Sequence, residues 1–337
     1  MIYVVIGFLW VAIVLYFILG GADFGAGIVE LFTLRRKDKS ITKKLMYESI
    51  APIWEANHMW LIIAIVILFV GFPEIYSFAS IYLHIPLVLM LVGIIARGTA
   101  FTFRHYDAVQ DQWQRVYTQI FYYSSLLTPF FFGMIAASSI SGTLNPEANN
   151  FPDLYIFNWF NYFGISVGLF TVSICAYLAS IYTLRETSES FDLNLMIRKG
   201  KQSMIYVVIF GLLVFLVAYL SDIPLIERIF GNWVGIAAIS FATLFLVFIF
   251  YFIKTKKLAF VRVFAAAQVV LILVAATYQL YPNIILLENG NHLSLLNNKA
   301  PEKTITFLGW ALLTGSVFIL PFLFYLMFSF SRRNVRE

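Results

Sequence analysis

The sequence predicts an all-α integral membrane protein with about nine transmembrane helices. Of its 337 residues, 61% are apolar and only 12% are charged, whereas a soluble domain carries roughly 25% charged residues. Aromatic residues reach 18%, with 35 Phe, which suits lipid-facing and interfacial positions. The chain also contains nine apolar runs close to the ~20 residues that a helix needs to cross a bilayer. Lipid is therefore the solvent that this composition requires.

These nine runs define the predicted spans. The first run, MIYVVIGFLW, has no basic segment before it and no convincing cleavage site, so we expect a retained helix and not a removed signal peptide. No polar interval is long enough for a separate soluble domain, so residues 1–337 are predicted to form a single polytopic membrane domain. The spans are predicted at about residues 2–22, 51–72, 75–96, 117–138, 158–183, 204–221, 232–253, 260–280 and 306–330.

The distribution of basic residues predicts the orientation of the chain. Of the 23 Lys and Arg residues, 20 lie in the odd-numbered loops and the C-terminal tail. Because cytoplasmic loops are enriched in Lys and Arg, this asymmetry places the N-terminus outside and the C-terminus in the cytoplasm. The net charge of +5 comes from short clusters between spans and not from one basic face. The pattern gives no reason to expect a nucleic-acid partner.

Three ionisable residues border long charge-free stretches. Asp23 ends the first stretch, Glu55 begins the second and Arg97 ends the third, so alternating helix directions put all three near the cytoplasmic edge. Ionisable residues at membrane depth are functional candidates. One of the two carboxylates would lack a strong partner and could carry protons. The alternative is interfacial anchoring through ordinary salt bridges.

The histidines provide weaker candidates for a metal or haem site. Glu55 and His58 have the Glu-x-x-His spacing that binds metals in helical bundles, but a hydrogen-bonded polar patch is favoured because partner carboxylates are missing. His58 and His84 would differ in depth by roughly 9 Å at 1.5 Å per residue. That difference disfavours a shared haem, so we expect no metal ligand and no haem ligand in this chain.

The stretch around Asp23 is rich in glycine. Gly21 and Gly25 form a GxxxG pair, which permits close approach of another helix. This helix could belong to the same chain or to a partner subunit. Either packing role explains the glycines without explaining the acidic residue between them.

Four segments of the sequence form a set: GADFGAG at 21–27, APIWEANHMWLI at 51–62, ARGTAFTFRHY at 96–106 and TYQLYPNI at 277–284. Together they resemble subunit II of bacterial cytochrome bd-type quinol oxidases. The second segment, with Trp, an acid, Asn and Trp at fixed spacing, is the most specific. In this sequence Glu55 stands where other members carry Asp, and His58 stands where others carry Gln.

The resemblance implies a bacterial cytoplasmic-membrane protein folded as two four-helix bundles plus one helix. It also implies a heterodimer with a subunit I that holds two b-type haems and a d-type or third b-type haem. Such a complex oxidises quinol and reduces dioxygen to water with cytoplasmic protons. A structurally bound quinone and a small single-helix accessory subunit belong to the same expectation.

Within that complex, we expect a cytoplasmic proton route through Glu55, Asp23, Arg97 and His58. Glu55 would take protons from water, Asp23 and Arg97 would set its charge state, and His58 would extend the route inward. A secondary transporter is a rival interpretation, but its charges usually lie near the midplane. An independent membrane haem protein that uses His58 and His84 is the other rival.

Overall fold

The computed structural model describes residues 1–50, 54–106, 113–184, 187 and 190–333. Within these ranges, nine helices are long and apolar enough to cross a membrane, which confirms the predicted fold class. Residues 51–53, assigned to the second span from the sequence, and residues 334–337 lie outside the described ranges. The nine spans are Ile2–Leu31, Trp54–Gly71, His84–Arg104, Trp113–Ser141, Tyr162–Thr183, Asp192–Leu220, Trp233–Lys254, Leu258–Leu280 and Glu302–Phe322.

The first span contains α1 (Ile2–Leu15), a π-helical turn (Tyr16–Gly20) and α2 (Gly21–Leu31). One short antiparallel strand pair, β1 (Asn283–Ile285) and β2 (Leu293–Ser294), lies in the loop between the last two spans. The other helices are α3 (Arg36–Ile50), α4 (Trp54–Gly71), α5 (Pro73–Tyr82), α6 (His84–Tyr106), α7 (Trp113–Ser141), α8 (Phe151–Tyr155), α9 (Tyr162–Thr183), α10 (Ser190–Leu220), α11 (Leu225–Phe230), α12 (Trp233–Lys254), α13 (Leu258–Thr277) and α14 (Glu302–Arg333).

The sixth span was predicted at 204–221, but α10 already begins at Ser190. Two further differences fall at charged residues. The first span was predicted to end at residue 22, but α2 continues to Leu31. The third was predicted at 75–96, but the short α5 ends at Tyr82 and the membrane-spanning α6 starts at His84. Both predictions ended a span near its first charged residue. The charged side chains at these ends are instead buried against neighbouring helices, so the helices continue past them.

The helices pack as two four-helix groups and one additional helix. The first group consists of the first span with α4, α6 and α7, and the second consists of α9, α10, α12 and α13. The central helix is α9, which packs on α2 and α7 of the first group and on α10 and α13 of the second. The last helix, α14, packs on α1 and α4. This arrangement brings the end of the first span into the middle of the protein.

The glycine pair of α2 serves an intrachain contact. Gly25 lies directly against the backbone of Cys175 in α9, and any side chain at Gly25 would overlap that carbonyl group. Gly21 faces the Cys175 side chain less closely, with Sγ 3.4 Å from the position of an added Cβ. Of the two partners left open by the sequence, the structure therefore identifies the chain's own α9.

Replacing Gly25 with Ala is expected to lower the free energy of unfolding by about 2–3 kcal/mol. The new methyl group meets backbone atoms of α9, which cannot rotate away as a side chain would. Gly7→Ala in α1 is the matched control, because nothing lies within 4 Å of its added Cβ, and it should be neutral or slightly stabilising. Denaturant-induced unfolding in detergent measures the free energy of unfolding of both variants. Equal stability of the two variants would contradict the close packing.

Candidate functional site

Asp23 lies at the centre of a buried polar network. Asp23 is only 1% exposed, and it lies in the apolar first span. The side-chain amide of Asn57 in α4 donates a hydrogen bond of 2.8 Å to Oδ2 of Asp23. Because a buried carboxylate without a partner would be costly, this amide is part of what allows Asp23 to occupy the interior.

Arg97 joins the same network through backbone and hydroxyl groups. Arg97 is also only 1% exposed. Nη2 of Arg97 donates to the backbone carbonyl of Asp23 at 2.6 Å, and Nε donates to the Ser125 hydroxyl at 3.3 Å. The guanidinium also lies 5.0 Å from the Phe24 ring centroid and 5.3 Å from that of Phe121. Arg97 therefore fixes α6 against α2 and α7 and brings its charge next to Asp23.

A small cavity of about 40 Å³ adjoins the Asp23 carboxylate. Its polar lining includes Asp23, Asn57, Ser49 and Thr183. A water molecule needs a cavity of roughly 10–15 Å³ with two or more polar partners, so this cavity is large enough and polar enough for water. Ser49 belongs to α3, the helix that connects the first two spans. The cavity thus joins the buried acid to the side of the protein where α3 lies.

Glu55 does not join this network, contrary to the expected three-residue cluster. It is exposed in the first turn of α4, and it makes no hydrogen bond or ion pair with any residue that the structure describes. Two positions along a helix correspond to a rotation of about 200°. Asn57 therefore points toward Asp23 while Glu55 points away. Of the predicted site residues, the structure brings Asp23 and Arg97 together and leaves Glu55 apart.

His58 lies among aromatic rings and not in a patch with Glu55. The ring centroids of Tyr16, Phe24 and Trp54 lie 6.1, 5.9 and 6.2 Å from that of His58. Its Nδ1 atom is buried without a hydrogen-bond partner among the described residues, so the expected hydrogen-bonded patch is not formed. In the described parts of the chain, no group of three or more His, Cys, Asp or Glu side chains could hold a metal ion.

His84 has a different environment from His58. Its Nδ1 atom lies 2.7 Å from the carbonyl oxygen of Ile81, and its ring contacts that of Tyr155 at a centroid distance of 5.1 Å. Both contacts lie at the start of α6 and hold that helix end in place. His84 and His58 therefore have separate structural surroundings.

A second buried charged pair was not predicted from the sequence. Arg104 Nη2 lies 2.6 Å from Glu30 Oε2, and the residues are 5% and 2% exposed. Both had been assigned to regions beyond the predicted spans. A signal was nevertheless present, because Glu30 follows Asp23 by seven positions and Arg104 follows Arg97 by seven. Seven positions are about two helical turns, so each like-charged pair lies on one face of its helix.

The fold and this site define a polytopic membrane protein with acidic and basic side chains buried between its spans. The sequence model described as "Cytochrome bd terminal oxidase subunit II" matches residues 1–330. The chain belongs to that family, which confirms the resemblance. The expected location is confirmed as well: the chain is a multi-pass protein of the bacterial cytoplasmic membrane.

Curated relatives are similar over part of their length. The chain is 28% identical over 210 residues to cytochrome bd ubiquinol oxidase subunit 2 of Bacillus subtilis, covering 61% of this chain and 60% of that protein. It is 25% identical over 219 residues to cytochrome bd-I ubiquinol oxidase subunit 2 of Escherichia coli K12, covering 62% and 56%. The matches thus span less than two thirds of these relatives.

A solved structure shares the fold along nearly the whole chain. A chain of the bd oxidase from Geobacillus thermodenitrificans superimposes with a TM-score of 0.75 and 18% sequence identity. The superposition covers 97% of each chain. At this identity the likeness concerns the fold, including the arrangement of nine spans.

Proposed function

We propose that this chain is the second subunit of a membrane-bound quinol oxidase that reduces dioxygen to water with protons taken from the cytoplasm. The family membership supports this assignment, as do the names of the ubiquinol oxidase subunits that it resembles. The observation that carries it is the fully buried Asp23 beside a polar cavity. Oxygen reduction consumes protons, and hydrocarbon cannot conduct them. A buried carboxyl group next to water can.

The haems of the complex belong in the partner subunit under this proposal: two b-type haems with a d-type or third b-type haem. Three aromatic rings lie around His58 at ring-centroid distances of about 6 Å. His84 is held against the Ile81 carbonyl. The separate surroundings of His58 and His84 disfavour a haem held between the two. A structurally bound quinone and a small single-helix accessory subunit remain part of the proposal.

Glu55 supports the presence of a partner subunit. It lies on the same exposed stripe of α4 as Ile62, Val66 and Phe69, which are 60, 46 and 60% exposed. A carboxylate that faces lipid is costly. The cytoplasmic end of this stripe therefore requires water or a polar surface of another subunit beside Glu55.

The proposed proton route divides its roles among the four predicted residues. Glu55 collects protons at the subunit surface, and Asp23 carries them in the interior. Arg97 holds the backbone of Asp23 in place and supplies the nearby positive charge. His58, whose buried Nδ1 has no hydrogen-bond partner among the described residues, is the proposed next polar group of the route.

Purification of the tagged chain in mild detergent tests the function. We expect a second membrane subunit to copurify, with a haem spectrum and quinol-dependent oxygen uptake. If the purified chain folds and remains monodisperse without a haem-bearing partner, the proposed assembly is refuted. A haem spectrum from the chain alone would instead support the rival interpretation, an independent haem protein.

Replacing Glu55 with Gln is expected to slow oxygen uptake by about tenfold, which is less than the ~100-fold at the low end of the range for losing a positioned proton donor or acceptor, because Glu55 is exposed. Glu55→Asp retains the acid with a shorter reach and should have a smaller effect. The assay is oxygen uptake per haem-replete complex, so that assembly and turnover are separated. Wild-type turnover in Glu55→Gln would leave Glu55 with a structural role and remove it from the route.

A further inference from the structure

Basic side chains converge at the end of the bundle where α2, α3, α6 and α7 meet. We propose that this cluster, formed by Lys39, Lys43 and Arg104 around Tyr122, binds the phosphate of an anionic phospholipid in the cytoplasmic leaflet. The inference is independent of the proposed oxidase function, because it concerns only residues of this chain and the lipid around it.

The orientation of Arg104 is the first observation. The side chain is buried, and its Nη2 atom bonds to Glu30. Its Nε and Nη1 atoms are buried without hydrogen-bond partners in the described part of the chain. A guanidinium has five N–H donors in a planar fork that suits phosphate oxygens. An arginine with two unused donor atoms at the end of α6 is therefore suited to an oxyanion.

The charge balance of the cluster is the second observation. Lys39 Nζ lies 4.7 Å from the centroid of the Tyr122 ring, and Arg104 Cζ lies 5.6 Å from the same centroid. Lys43 is close enough to interact with both Arg104 and Glu30. Among these described side chains Glu30 is the one acid, so the three cations leave an excess of two positive charges. An anion would offset that excess.

The electrostatic state of Lys43 agrees with this arrangement. Partial burial lowers its pKa, and the positive charge of Arg104 lowers the pKa further, while the charge of Glu30 raises it. Lys43 therefore lies where the local potential is positive. A phosphate group at this position would favour its charged form.

Adjacent apolar surface indicates a lipid and not a soluble anion. Phe32 and Leu34, two and four residues beyond Glu30, are 66 and 93% exposed. The neighbouring α3 buries Leu45 and Met46 against the bundle and carries the exposed Lys37 and Lys44 on its other side, as an interfacial amphipathic helix does. The count of basic residues assigns this end to the cytoplasm, where juxtamembrane Lys and Arg attract anionic lipids.

Native mass spectrometry of the full chain, with any subunit that copurifies, tests the site. The probes are phosphatidylglycerol, phosphatidylcholine and inorganic phosphate, each titrated into detergent-solubilised protein. We expect tighter binding of phosphatidylglycerol than of phosphatidylcholine. Changing Lys39→Gln and Lys43→Gln together should weaken phosphatidylglycerol binding by about 30-fold, roughly fivefold for each lysine. Arg104 is left intact so that the ion pair with Glu30 is preserved.

A matched control uses two other lysines on the same predicted side. Lys254 and Lys257 are exposed, and their combined change to Gln removes the same charge elsewhere. This control should retain wild-type affinity. Equal affinities of the two double variants would overturn the site. Inorganic phosphate that displaces phosphatidylglycerol at similar concentration would overturn the lipid assignment, and equal binding of phosphatidylcholine would overturn the preference for an anion.

Discussion

Replacing Asp23 with Asn is expected to slow quinol-driven oxygen uptake by roughly 100-fold, the low end of the range for losing a positioned proton donor or acceptor. The carboxyl group can take up and release a proton, and the amide cannot. The fold should survive, because the Asn side-chain oxygen can still accept the hydrogen bond from Asn57. The backbone carbonyl that binds Arg97 is unchanged. Oxygen uptake normalised to haem content measures the effect.

The control for this variant is another aspartate of the same region. Asp38 in α3 pairs with Arg198 at 2.9 Å at the protein surface, so Asp38→Asn removes the same group without entering the buried network. It should support wild-type turnover. Equal activities of the Asp23 and Asp38 variants would move the proton route out of this chain. A haem-replete, fully active Asp23→Asn complex would therefore contradict the prediction.

The sequence was sufficient to predict the class of fold, because hydrophobicity alone determines which segments enter lipid. It was less successful at the ends of spans. The first span was ended at residue 22 because charges usually mark the membrane edge. Asp23 and Glu30 instead remain in the helix, since partners on other helices satisfy both. Those partners are tertiary contacts, and no local pattern identifies them.

The candidate site was also predicted only in part, because some of its features depend on tertiary contacts. Asp23 and Arg97 were predicted to lie at one depth, and the structure brings them into one network. Glu55 was placed with them because depth along a helix can be read from the sequence. Its direction could not be read in the same way, because α4 has almost no difference in hydrophobicity between its faces. Asn57 takes the inward position, although it had been noted only as part of the segment APIWEANHMWLI.

The buried ion pair of Glu30 and Arg104 should have the largest effect on stability. Arg104→Met is expected to lower the free energy of unfolding by about 3–5 kcal/mol, because it leaves the Glu30 carboxylate buried without its partner. Glu30→Gln leaves the guanidinium uncompensated and should have a similar effect. The double variant Glu30→Gln and Arg104→Met removes both charges. It should regain most of the free energy of unfolding that each single variant loses, because the attraction between paired buried charges does little more than offset their desolvation.

Denaturant-induced unfolding in detergent, analysed as a double-mutant cycle, measures this coupling. The surface pair of Asp38 and Arg198 provides the comparison, because the Arg198 side chain is 53% exposed. Asp38→Asn should therefore cost less than about 1 kcal/mol. Single variants of the buried pair that match this small cost would mean that water reaches Glu30 and Arg104. In that case the end of the first span would lie in the aqueous interface, as the sequence alone had suggested, and the extension of α2 to Leu31 would add no buried charge to the membrane interior.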